Sequence, residues 1–331
     1  MFILRNKWFY FCLAFLILGL AVGGFIGYLL PGQFPDLANI PSEFHAGGYQ
    51  FINPLYECNT GESYDTKELS KLKSSISTYI NQLTTNNSVT SVSVYYRDLN
   101  NGSWFGINEH DVFAPSSLLK VPVMMAYYKE AEEAPAILEQ KIKYSAEPSG
   151  VIAQNYPPSH PLVLGQTYTV EQLIESMIIG SDNAALALLE NNIDSRKINQ
   201  VTLDLGITTA TNSTPDDFMD VSEYSTLFRV LYYATYLNKD YSEQALELLA
   251  QAEFKQGLVD DLPKNIPIAH KFGEREVGNG IHQLHDCGII YYPKRPYLLC
   301  IMTKGPDFND LSKTIEQISD KIYKDAIVMY H

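Results

Sequence analysis

Cysteine is scarce in this 331-residue chain, with four in all: Cys12, Cys58, Cys287 and Cys300. That is too few for a disulfide-dense scaffold. Cys287 and Cys300 lie in strand-like runs that face each other across a hairpin, either as a disulfide or as small core residues, and the core reading is preferred. Positive charge is also short, 24 Lys and Arg against 38 Asp and Glu. A net charge of −14 excludes nucleic acid and anionic lipid as natural partners and suits a soluble exported domain. No Gly-x-Ser-x-Gly elbow occurs, which argues against a Ser-His-Asp hydrolase. There is no internal repeat and no low-complexity tract. His282, His285, Asp286 and Cys287 are close in sequence, but residues three apart on a strand face opposite sides. No second cluster of ligand types completes a site, so neither a metal nor another cofactor is expected. The 23 tyrosines form no regular stripe and are accounted for by packing.

One long apolar run is present. Trp8 to Leu30 contains no charged side chain, enough to cross about 30 Å of hydrocarbon as a helix. Arg5 and Lys7 precede it, and no Lys or Arg follows until Lys67. The positive-inside rule then gives a cytoplasmic tail (1–7), a transmembrane anchor (8–30), an extracytoplasmic linker (31–65) and a domain (66–331) held outside the cell membrane. A cleaved signal peptide is the competing reading, disfavoured by the length of the run, which no clean small-x-small site ends. Cys12 lies near the start of the span, where a lipoprotein cleavage site does not fit.

Within the domain, Leu69, Leu72, Ile76, Ile80 and Leu83 recur at helical spacing between Lys67 and Leu83. Ser91–Tyr96 alternates as a strand, Asn100-Asn101-Gly102 turns, and Ser103–Ile107 returns. A helical middle follows, opened by a capping box at Thr169 and Gln172. Strands are expected again at Ile268–Phe272, Cys287–Tyr292 and Pro296–Thr303, then a closing amphipathic helix from Asp310. The order is α+β. Its simplest closure sets N- and C-terminal helices on a five-stranded antiparallel sheet, with an all-helical lobe across a cleft.

Three motifs occur in order: Ser117-Leu118-Leu119-Lys120, Ser181-Asp182-Asn183 and Lys271-Phe272-Gly273. Each is weak alone, since Ser70–Lys73 and Lys255–Gly257 repeat two of the patterns; the order carries the specificity. Three residues along a helix bring Lys120 to the face of Ser117. The apolar residues around Lys120 favour a desolvated amine able to act as the base for a serine nucleophile. Pro122, inside the helix, is expected to kink it. Ser181 would relay a proton to the leaving nitrogen and Asn183 would hold a substrate amide, while Asp182 serves structural hydrogen bonds. Lys271 is a cation suited to a substrate carboxylate. The N–H groups of Ser117 and of Glu274, just past Gly273, would form an oxyanion hole.

With these motifs the chain resembles the penicillin-recognising serine enzymes, class A β-lactamases in particular, from about Lys67 to the C-terminus. The resemblance implies an acyl-enzyme on Ser117 formed from a β-lactam or a D-Ala-type amide bearing a carboxylate. Two departures stand out. Phe272 replaces the hydroxyl residue usual in the third motif, a loss for which Arg275 is a candidate compensation. The stretch Gly206–Asp220, which corresponds to the Ω-loop, contains no glutamate, the residue that serves as deacylation base in class A enzymes; Asp216 and Asp217 are the candidate substitutes. The alternatives are a DD-peptidase or penicillin-binding protein with slow deacylation, or a non-catalytic wall-binding or sensor domain. Retention of both Ser117 and Lys120 argues against the last.

Overall fold

The computed structural model describes residues 49–54, 67–86, 88–148, 154–211 and 213–329. The expected tail and membrane span, and most of the expected linker, lie outside the described residues. Among the described residues no helix is long and apolar enough to cross a membrane. The part of the linker that is described belongs to the domain: Phe51 and Ile52 are buried, and the Glu243 carboxylate accepts the N–H groups of Gln50, Phe51 and Ile52.

The sheet contains β1 (Ser91–Asp98), β2 (Trp104–Ile107), β5 (Ile268–Gly278), β6 (Ile281–Ile290) and β7 (Tyr297–Gly305). Its order is β2-β1-β7-β6-β5 with every pairing antiparallel. The two-residue period of β7 divides the core. Leu299 and Ile301 face α1 (Lys67–Thr85) and α8 (Phe308–Met329), where Leu72, Ile76, Ile315 and Ile318 are buried. Leu298, Cys300 and Met302 face the helical lobe. That lobe is built from α2 (Lys120–Glu133), α3 (Val170–Ile179), α4 (Asn183–Asn192), α5 (Ser195–Asp204), α6 (Val221–Tyr232) and α7 (Lys239–Ala250). A short ribbon, β3 (Lys141–Lys143) with β4 (Thr167–Thr169), joins it. The expected α+β arrangement is present, and the Thr169–Gln172 capping box starts α3.

Three details differ from expectation. Cys287 and Cys300 are bonded as a disulfide; they are directly opposed in the β6–β7 register, so both side chains leave the same face and the simple core reading gives way. Pro122 is the third residue of α2, in the first turn, where its missing N–H forfeits no intrahelical bond and no kink is needed. Strand β5 continues past Phe272 to Gly278. There Asn279 and Gly280, at φ 54° and 71°, make the two-residue turn that returns the chain as β6.

Candidate active site

The nucleophile turn is held from several elements. Ser116–Leu119 forms a short 3-10 turn leading into α2, and Ser116, at φ 52°, bends the chain just ahead of Ser117. Upstream, the N–H of Ala114 donates to Gln283 Oε1 (2.9 Å) and its carbonyl lies 3.1 Å from His285 Nε2. The Thr303 N–H donates to His285 Nδ1 (3.3 Å), so the ring is the tautomer that donates from Nε2 to Ala114. Burial pushes its pKa down to about 4, which keeps it neutral. Buried Tyr224 of α6 donates its hydroxyl to the Leu118 carbonyl (3.0 Å). Gly273 lies so close that an added Cβ would stand 2.7 Å from the Pro115 carbonyl oxygen. Of these supports only Gly273 belongs to a sequence motif. The alternation Gln283, His285, Cys287 along β6 was the available signal for two others.

The three motifs converge. Lys120 is buried, with Nζ 3.0 Å from both Ser117 Oγ and Ser181 Oγ. It donates to the Ser181 carbonyl (2.5 Å) and to Asn183 Oδ1 (2.7 Å). Two donated bonds are what a neutral amine offers, leaving its lone pair for a serine hydroxyl. Burial lowers its pKa to about 7, against the opposing fields of Asp182, Glu274 and Glu190. Ser181, at φ 55°, is held in a sparsely populated conformation that aims Oγ at both lysines. From β5, Lys271 Nζ donates to that Oγ (2.8 Å) and to the Phe272 carbonyl (3.2 Å). Burial also drives the Lys271 pKa well down, with Lys120 adding to the effect. Asp182 caps α4, accepting from Ala184 and Ala185 N–H (2.7 and 3.0 Å) and from Leu162 N–H (3.1 Å), the structural part expected of it.

The surroundings hold further findings. Gln154 donates to the Ser181 carbonyl (3.0 Å). Glu274 accepts the N–H groups of Asn155 and Tyr156 through its carboxylate (3.1 and 3.0 Å). As the last strand of the sheet, β5 leaves alternate N–H groups facing away from β6. Arg275 is paired with Asp216 (2.5 Å). Asp217 accepts from Gln283 (2.8 Å) and Lys304 (3.0 Å). Both candidate loop carboxylates are thus tied to the sheet.

A two-lobed α+β fold with a hydroxyl set against a desolvated lysine defines a β-lactamase-like serine hydrolase. The chain belongs to the Beta-lactamase enzyme family, whose profile matches residues 73–326. Beta-lactamase VEB-1 of Pseudomonas aeruginosa is 24% identical over 237 residues, 66% of this chain and 77% of that protein. The fold superposes on TLA-3 extended-spectrum beta-lactamase with a TM-score of 0.68 at 17% identity, covering 78% of this chain and 99% of that one. It also superposes on a mutant of PBP-A solved as an acyl-enzyme complex with penicillin G, with a TM-score of 0.66 at 21% identity, covering 78% and 97%.

Proposed function

We propose that the protein is a membrane-anchored, outward-facing serine acyl-transfer enzyme of penicillin-binding type that forms a slowly released acyl-enzyme on Ser117. The observation that carries this is Lys120 Nζ, buried and 3.0 Å from both Ser117 Oγ and Ser181 Oγ. Lys120 takes the Ser117 proton as Oγ bonds to the acyl carbon of a β-lactam or D-Ala-type amide. The N–H groups of Ser117 and Glu274 receive the oxyanion. As the C–N bond breaks, the proton passes through Ser181 Oγ to the leaving nitrogen, and Asn183 holds a substrate amide. The Cys287–Cys300 disulfide supports an oxidising, extracytoplasmic setting for the domain. Asp216 and Asp217 are committed to Arg275, Gln283 and Lys304, which supports slow release.

The test is intact mass over time, with the detergent-solubilised protein and benzylpenicillin. An adduct on Ser117 that persists for hours is expected. Rapid loss with hydrolysed drug accumulating would identify a turnover enzyme instead, and absence of any adduct would remove the reading.

The labelling rate should also follow the neutral form of Lys120. With a pKa lowered to about 7, the base is protonated and inactive in acid. The rate is expected to rise about tenfold per pH unit up to that value and then level off. A rate independent of pH through neutrality would exclude Lys120 as the base.

A further inference from the structure

What Ser181 has to do conflicts with where it lies. Ser117 is partly exposed, so an acyl donor can reach it. Ser181 and Lys271 are 0% and 1% exposed, yet Ser181 Oγ has to meet the leaving atom. The two side chains meet at 2.8 Å, one from the helical lobe and one from β5. A single segment bridges the two walls beside that contact.

The segment is 154–163, QNYPPSHPLV, which forms neither helix nor strand. Pro157, Pro158 and Pro161 offer no N–H. Four of its other backbone N–H groups are taken by carboxylates elsewhere in the chain, which makes these bonds charge-assisted. Asn155 and Tyr156 donate to Glu274 of β5 (3.1 and 3.0 Å), Ser159 to Glu253 (2.9 Å) and Leu162 to Asp182 (3.1 Å). Gln154 Nε2 donates to the Ser181 carbonyl (3.0 Å). Pro158 lies so close to Gly180 that a Cβ added there would stand 3.0 Å from the proline Cβ. Gln154 is thus attached to the second motif, and the next two residues to the position just past the third.

The two halves of this strap are held differently. Ser159, Leu162 and Val163 are tied to the helical side, through Glu253, Asp182 and the Tyr168 hydroxyl; the Glu253 N–H itself donates to the Ile179 carbonyl (2.9 Å). Residues 154–156 are held against β5 by one carboxylate and one ring, Tyr156 standing edge-on to Phe272 at 5.9 Å. Neither attachment belongs to a strand ladder, so this half can leave without unzipping the sheet.

We propose that residues 154–156 are a lid, shut in this structure and latched by the Glu274 carboxylate, which an acyl donor must displace before its leaving group reaches Ser181 Oγ. This rests on the acyl-enzyme reading of Ser117 and adds a gate to it. The Glu274 N–H, the expected oxyanion donor, belongs to β5 and stays in place when the lid lifts. The prolines stiffen the middle of the strap, so its free half swings from the anchors at Ser159 and Leu162.

Two measurements on the full-length, detergent-solubilised protein test the lid. Hydrogen exchange over 154–160 is expected to be faster in the penicillin acyl-enzyme than in the free protein, because the latch is open while the donor is in place. Exchange as slow or slower in the acyl-enzyme would overturn the inference. Tyr156→Ala removes the ring and keeps the N–H; Glu274→Gln sets an amide donor against one of the two latched N–H groups. Each is expected to label Ser117 about tenfold faster than wild type, the worth of one hydrogen bond to a charged acceptor. Labelling of either variant at or below the wild-type rate, with the melting temperature retained, would overturn it. Adducts from the variants but not from the wild-type protein would support a lid that penicillin alone cannot lift. No adduct from any of the three would overturn the acyl-enzyme reading itself, and this inference with it.

Discussion

Lys120→Met is expected to fold, to melt within a few degrees of the wild-type protein, and to label Ser117 with penicillin about a thousandfold more slowly, the usual worth of a positioned general base. The two halves of this result have separate causes. Methionine keeps the length and apolar stem of lysine and removes a terminal amine that burial already drives toward its neutral form. The Ser181 carbonyl keeps a donor in Gln154, so the substitution strands little. Asn183 Oδ1 loses its 2.7 Å bond to Lys120, a cost of about 1–3 kcal/mol set against the desolvation relieved. The chemistry has no such reserve, because Ser117 Oγ then has no amine within 3.0 Å and its hydroxyl stays a weak nucleophile. Ser117→Ala, which removes the bond-forming oxygen, should give no adduct at all. Wild-type labelling in a folded Lys120→Met protein would require another base. Melting curves and a time course of intact mass on the same samples separate loss of fold from loss of chemistry.

Much of this site was legible in the chain because its parts are local. Ser117 and Lys120 are three apart, Asp182 caps the helix that Asn183 begins, and the strand and helix periods around them are regular. What was not legible depends on partners far away in sequence. Arg275 reads as a free cation until Asp216, 59 residues earlier, is seen to hold it. Glu274 reads as the donor of a backbone N–H. Its carboxylate, which fastens Asn155 and Tyr156, is visible only once that loop is placed along β5. The disulfide turned on register: at fixed spacing, a one-residue slip would have sent Cys287 and Cys300 to opposite faces. Helix α2 carries little amphipathic signal because it is buried over most of its surface, so its central position was hidden. Pro122 misled for a different reason, since its effect depends on where the helix starts, the least certain boundary in any sequence reading.

The fold and the chemistry meet at Gly273, and Gly273→Ala is expected to slow labelling by about a hundredfold, the scale of a misplacement of roughly 1 Å at a reacting group. The added methyl would lie 2.7 Å from the Pro115 carbonyl oxygen, 3.0 Å from Leu118 Cγ and 3.3 Å from Leu118 N. Two of those three neighbours are backbone, so no side-chain rotation relieves the contact. Either β5 moves away from the nucleophile turn or the turn moves away from β5. The turn is restrained by Gln283 and His285 on Ala114 and by Tyr224 on Leu118, so the displacement falls on the Lys271–Glu274 stretch. That draws Lys271 from Ser181 Oγ and the Glu274 N–H from the forming oxyanion. The stability cost is that of overpacking, about 1–3 kcal/mol, small enough for a folded variant to be assayed. Gly280→Ala is the control. Its φ of 71° strains any side chain, yet nothing lies within 4 Å of the added Cβ. It should lower the melting temperature through backbone strain of about 1 kcal/mol and leave the labelling rate untouched. Equal labelling by Gly273→Ala and Gly280→Ala at wild-type rate would show that the close approach of β5 to the nucleophile turn is not needed for acylation.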